Sequence, residues 1–284
     1  MPEWKLTCDP IVKRLRWMML VAMLFSILNT LLGQPKSFWP QPETAIRGDG
    51  LSIYNPTNRT FEFFLGHGWR AYVAASFIYL ATAFLAVSLL PKMPALIAAF
   101  AVIFGHYFGA TLWLGSVWHL GWLGFILYAV VLGMMLALWV FPPAHTNDSI
   151  GRRLRWVMTA AILFDFIVTL LGQPHSYWLH PETVNEADPF FGFFLLRGWI
   201  AGVAFYLVYL CATFLLVSVA PRTTALLCSF ALLFGHFSGA SSWLFFRWRL
   251  GMQAPILYGV LLSTFIVLLV FPTVEALKQP RPIE

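Results

Sequence analysis

Apolar residues run along this chain in segments of about twenty, separated by short polar or helix-ending stretches. Eight such segments stand out, at 13–33, 69–90, 93–116, 120–141, 153–172, 199–220, 223–246 and 251–271. At about 1.5 Å of rise per residue, each can cross the roughly 30 Å hydrocarbon layer of a bilayer. The pattern predicts an all-α integral membrane protein with eight transmembrane helices.

The segments fall into two sets of four. Residues 31–44, LLGQPKSFWPQPET, return at 170–183 as LLGQPHSYWLHPET. Arg14-Leu15-Arg16-Trp17 returns as Arg153-Leu154-Arg155-Trp156, Gly68-Trp69 as Gly198-Trp199, Phe104-Gly105-His106 as Phe234-Gly235-His236, and Phe141-Pro142 as Phe271-Pro272. The offset is 139 at the first loop and 130 from Gly68 onward, so the second loop is shorter. A duplication of this extent defines the architecture. It predicts an N-terminal repeat over 1–145 and a C-terminal repeat over 146–284. Four crossings per unit leave both repeats pointing the same way, as parallel repeats about an axis along the membrane normal.

Composition strengthens the membrane assignment. The chain is 60% hydrophobic and 11% charged, whereas a soluble domain carries about a quarter charged residues. The net charge of +6 does not indicate nucleic acid. Its Lys and Arg sit in short clusters between apolar segments, as orientation signals do. Placing both termini in the cytoplasm puts Lys13, Arg14, Arg16, Lys92, Arg153, Arg155 and Arg222 inside, and the balance favours that orientation. The expected location is a bacterial inner (plasma) membrane, with the lipid bilayer as the principal partner. The basic start of the first segment resembles a signal peptide, but its copy lies in mid-chain, so both read as membrane helices. Cys8, Cys211 and Cys228 form no CxxC pair or metal spacing. Walker, dinucleotide, HExxH and GxSxG motifs are absent.

Candidate chemistry comes from polar groups inside apolar segments. Asp165 lies near the middle of the fifth segment, where an acid costs about 2.5–3.5 kcal/mol and requires a partner. Thr169 shares its helical face. The first repeat has Ser26 and Thr30 at these places, with Asn29 as an added polar group. His236 lies at about the level of Thr169, counted from the basic residues at the inner ends, so an Asp165–His236 hydrogen bond is expected. Tyr79 and Tyr209 match one another, and their hydroxyls need buried partners such as the histidines or Asp165.

Each histidine lies within a GxxxG, Gly105–Gly109 and Gly235–Gly239. One reading makes these glycines a close helix-packing seam with the histidine as interhelical glue. The other places the third and seventh segments at the axis, so that His106 and His236 face one another and ligate a metal or haem.

The loop after the fifth segment carries Glu182, Glu186 and Asp188. Gly33-x-Pro35 and Gly172-x-Pro174 read as helix stops, and Trp39 and Trp178 as interfacial anchors. Asp188-Pro189 reads either as an N-cap opening the FFGFFL segment or as part of an outer polar pocket. Asp165-x3-Thr169, Gly172-Gln173-Pro174-x-Ser176-Tyr177-Trp178 and Asn185-Glu186-x-Asp188-Pro189 together resemble a family of uncharacterised bacterial multi-pass membrane proteins with D-x3-T, GQPxSYW and NExNP motifs. Asp188 replaces the second Asn of NExNP, and the first repeat lacks that motif, with Asn55-Pro56 as its remnant. The resemblance implies the membrane class and the polar cluster, and no reaction.

Three functional readings follow. The first is a non-enzymatic subunit of a membrane complex or a ligand-binding protein. Its polar pocket of Asp165, Thr169, Glu182, Glu186, Asp188 and His236 opens to the outer face, and its partners are membrane proteins or a small ligand. The second is a proton-coupled small-solute transporter using Asp165 and His236. The third is a membrane enzyme or a metal- or haem-binding protein using His106 and His236.

Overall fold

The computed structural model describes residues 9–34, 39, 59–141, 148–186 and 188–271, apart from the side chains of 59–62, 116, 148 and 149. The boundary expected at 145/146, Cys8, Pro35 and Asn55-Pro56 lie outside the described residues. Among those described there are helices and no strand. They are α1 (Pro10–Leu32), α2 (Arg59–Gly66), α3 (Trp69–Leu89), α4 (Lys92–Ser116), α5 (Gly121–Met134), α6 (Asp148–Leu171), α7 (Pro189–Leu195), α8 (Trp199–Val219), α9 (Arg222–Ser242) and α10 (Gln253–Val270). Helix α5 runs on as a π-helical turn over Met135–Val140, and α9 as another over Trp243–Arg247. Eight of these helices, all except the short α2 and α7, are long and apolar enough to cross a membrane. They coincide with the eight expected segments to within a few residues.

Local chemistry accounts for the ends. Two helices open on an Asp-Pro pair. Asp9 accepts from the N–H groups of Ile11 and Val12 at 2.9 and 3.2 Å. Asp188 accepts from Phe190 and Phe191 at 2.8 and 3.3 Å. In each case proline takes the first helical position, where its missing N–H is not needed. Gly68 and Gly198, just before α3 and α8, have φ of 97° and 103°, a region essentially closed to residues with a Cβ. The turns after α4 and α9 also match. His119 and Arg249, 130 residues apart, both have φ of 53°.

Helices α4 and α9 form the centre. Helix α1 packs on α4 and α6 on α9, with α3 and α8 outside them. Helix α5 packs mainly against α9, and α10 mainly against α4. The fourth apolar helix of each half therefore lies against the third of the other half. The seam is aromatic: Phe104 meets Phe234 at 4.9 Å and Phe237 at 4.7 Å, Phe100 meets Phe230 at 6.5 Å, and Phe141 meets Phe271 at 5.6 Å between ring centroids. Three of these pairs stand 130 residues apart. Gly133 lets α5 approach the backbone of α9, since a Cβ there would stand 3.1 Å from both Leu227 O and Ala231 N.

The outside is as apolar as the inside. Ile78 is 69% exposed, Val208 66% and Phe265 56%. Hydrophobic side chains thus cover the perimeter of α3, α8 and α10, where a water-soluble bundle would carry charge.

Asp9 also pairs with Lys92, joining the starts of α1 and α4. Partial burial pushes the Asp9 carboxyl up, but Lys92 and the two capping N–H groups outweigh it and hold the group below the usual carboxylate range. A folded-state pKa lowered in this way adds stability that is complete above about pH 4 and disappears as the pH falls through the lowered value. Asp9→Ala is expected to cost about 1–2 kcal/mol at pH 7, read as chemical unfolding in detergent, with the difference from wild type shrinking toward pH 3. A difference that stays constant over this range refutes the assignment.

Candidate functional site

Three polar groups inside the bundle meet in one chain. Asp165 on α6 and His236 on α9 are buried, and Oδ2 of Asp165 lies 2.8 Å from Nδ1 of His236. On the other side of the ring, Nε2 lies 3.0 Å from the Tyr209 hydroxyl of α8. With the carboxylate ionised, the imidazole donates through Nδ1–H and accepts the tyrosine proton at Nε2. Three helices are thereby joined by two hydrogen bonds. The expected Asp165–His236 contact is present, and Tyr209 completes it.

Space for the carboxylate comes from Gly239. A Cβ there would stand 2.7–3.0 Å from the Asp165 carboxylate atoms. Asp165 Oδ1 is buried with no hydrogen-bond partner, as is the Tyr258 hydroxyl of α10. The Asp165 charge reaches Tyr206, Tyr209 and Tyr258. Thr169 is buried one turn further along α6, and its carbonyl accepts from Gln173 Nε2 at 3.2 Å.

The first half builds a shorter version. The Tyr79 hydroxyl lies 3.1 Å from His106 Nε2, and Ser26 stands at the place of the acid. Asn29 does not stand in for the acid. Its Nδ2 donates to Ala110 O at 3.1 Å and ties α1 to α4.

The two histidines do not face one another. Each follows by two residues the phenylalanine that packs in the seam, Phe104 or Phe234, and two residues turn a helix by about 200°. His106 and His236 therefore point away from the seam, each to the tyrosine of its own half. The shared site of the third functional reading, with both histidines on one metal or haem, is not assembled. Among the described residues no three His, Cys, Asp or Glu side chains gather as metal ligands.

The GxxxG glycines differ in what they meet. A Cβ on Gly105 or Gly235 would meet nothing within 4 Å, whereas Gly239 makes room for a side chain of α6. A close approach to a neighbouring backbone is seen at Gly133.

The loop after α6 is held by its own motif. Gly33 and Gly172 end their helices as expected, but without left-handed backbone, since Gly33 has φ of −76°. Glycine is required there by a ring. A Cβ on Gly33 would stand 2.9 Å from Trp113, and one on Gly172 2.6 Å from Trp243. Gln173 grips the loop from both sides: its Oε1 accepts Asn185 N–H at 2.9 Å and its Nε2 donates to Asn185 O at 3.3 Å. Tyr177 is buried and donates to Leu195 O at 3.0 Å, and Arg247 Nε donates to Gly172 O at 2.8 Å. Trp178 remains half-exposed beside Trp199.

The loop acids divide. Glu182 is exposed and pairs with His180 at 3.2 Å, so it stands apart from the chain. Glu186 accepts the Asp188 N–H at 3.0 Å, and Asp188 caps α7. That short helix lays Phe191 against Tyr206 and Tyr209, with centroids 4.9 and 5.4 Å apart. The Asp188 charge also reaches Asp165. Gln173 stands in the repeated GQP motif, but its grip on Asn185 is legible only in the structure, and nothing in the sequence marks Arg247.

Comparison with protein-family models, curated proteins and solved structures finds no match to this chain.

Removing His236 leaves a buried carboxylate without its partner. His236→Ala is expected to cost about 3–5 kcal/mol, against about 1 kcal/mol for His106→Ala, which loses one neutral hydrogen bond. Equal losses in detergent unfolding refute this asymmetry. Gly239→Ala is expected to destabilise by about 1–3 kcal/mol through overpacking, whereas Gly235→Ala is neutral or gains helix propensity. Thermal unfolding of the two variants compares them directly.

Proposed function

We propose that this is an integral membrane protein of two parallel four-helix repeats with both termini in the cytoplasm of a bacterial inner membrane. In this reading it is a non-enzymatic ligand-binding protein whose C-terminal repeat takes up a proton, together with a small hydrogen-bond-donating group, beneath the outer loop. The apolar perimeter supports membrane insertion, because side chains so exposed suit hydrocarbon and not water. The seam pairs at an offset of 130 support an axis between the halves.

The observation that carries the reading is the Asp165 carboxylate. It is buried, bonded through one oxygen to His236, and left with the other oxygen unpartnered. The first repeat forms its Tyr79–His106 contact with Ser26 in place of an acid. The helix arrangement therefore does not require the charge, and an intramembrane acid kept without structural need marks a functional site. The set is acidic, with Glu186 and Asp188 at the rim, so its complement is a proton or a donor group.

A second reading, proton-coupled transport of a small solute, draws on the axis between the halves. Repeats that rock about a central site are a recurrent architecture for alternating access. The Tyr209–His236–Asp165 chain supplies the titrating groups.

Infrared difference spectra on acidification are expected to contain a protonated-carboxyl band that Asp165→Asn removes and Glu182→Gln retains. An unchanged band in Asp165→Asn refutes proton uptake at this residue. For transport, proteoliposomes with an entrapped pH dye are challenged with amino acids, sugars and organic acids in turn. Asp165-dependent acidification supports coupling, and its absence for all three classes refutes it.

A further inference from the structure

Two grooves lie where the first and fourth apolar helices of each half part from one another. The larger, about 430 Å³, lies between α6 and α10 and is lined by Ala160, Phe164, Leu250, Ala254, Leu257 and Phe265 among others. The smaller, about 260 Å³, lies between α1 and α5, and Val21, Phe25, Leu120, Gly124, Leu127 and Met135 hold the equivalent places. Both walls are apolar, and their rims are open: Leu250, Leu257 and Phe265 are all more than half exposed. From Ala254 to Phe265 the larger groove descends about 16 Å along α10, about half the hydrocarbon thickness. That is the depth of one leaflet.

The two grooves differ at the mouth. Leu244 and Leu250 both line the larger one, and the turn between them carries Arg247 and Arg249, both exposed. Arg247 spends one N–H on Gly172 O, and a guanidinium has five. In the first half Val117 and His119 stand at these places. The segment that joins two residues of the larger groove therefore carries two exposed arginines where its counterpart has none, beside a helix end of the kind that meets the headgroup layer.

We propose that the α6–α10 groove binds an anionic glycerophospholipid of the outer leaflet, with an acyl chain in the groove and its phosphate on Arg247 and Arg249. This rests on the membrane reading and not on proton uptake at Asp165. Tyr258 lines the groove and also lies within reach of the Asp165 charge, so the bound chain would form the outer wall of the polar site.

Native mass spectrometry from detergent tests this with phosphatidylglycerol and phosphatidylcholine carrying identical oleoyl chains. Wild type is expected to retain phosphatidylglycerol about tenfold more tightly, because both lipids offer the same phosphate but the cationic choline is repelled by the two guanidiniums. Arg249→Gln is expected to lose the preference. Ala160→Phe, which fills the groove from an exposed position, is expected to lose both lipids, and Val21→Phe in the smaller groove to lose neither. Equal retention of the two lipids by wild type, or full retention by Ala160→Phe, overturns the proposal. So does displacement of the lipid by chain-free glycerol phosphate, which would show that the mouth alone binds. Asp165→Asn is expected to retain the lipid, which separates failure of this site from failure of the proton site.

Discussion

The contact of Phe104 with Phe234 and Phe237 governs most of what surrounds it. It brings α4 and α9 together at the centre and fills the space between them with rings. The other apolar helices are arranged around that pair. The faces of α4 and α9 left over take α1 and α6, and the flanks take α10 and α5 across the boundary between halves. A central aromatic seam also decides where polar groups go. His106 and His236 lie about 200° around their helices from Phe104 and Phe234, so each is directed into its own half, and two separate polar chains form where one of the two sequence readings had a shared site.

Within that frame the two halves solve one problem at different cost. A tyrosine–histidine bond between the second and third apolar helices serves both. Only the second half adds a carboxylate, which in an apolar interior needs a bonded partner and space. His236 supplies the partner and Gly239 the space. The loop after α6 is then tied down by Gln173 on Asn185, Tyr177 on Leu195 and Arg247 on Gly172, so that α7 lies over Tyr206 and Tyr209. The loop motif is thus mostly a staple, and its acids act through position: Asp188 caps α7 while its charge reaches the buried site. Glu182, on the same loop, faces water.

Particular residues mark how much of this was legible in the chain. The eight apolar segments and the helix ends at Gly33 and Gly172 were readable, as was the match in height between Asp165 and His236, because hydropathy and rise per residue are properties of one helix at a time. The Asp188 cap was readable as one of two alternatives. Glycine roles were not. Gly33 and Gly172 suit a helix stop by any local rule, yet they are held by Trp113 and Trp243, eighty and seventy-one positions further along. Gly105 and Gly235 have the spacing of a packing motif and pack against nothing within reach.

The chain by itself determined that eight membrane-length helices form, where each begins and ends to within a few residues, and that its second half repeats the first with an added acid. Those results depend on local composition and on a pattern copied along the sequence. Only the tertiary structure decided which way each helix faces, that α5 and α10 lie against the opposite halves, and which of the polar residues meet. The reason is physical. Helices that are apolar on every side carry no periodic stripe to fix their rotation, so facing is settled by ring packing, by the few glycines that admit a neighbour, and by the need of one buried carboxylate for a histidine.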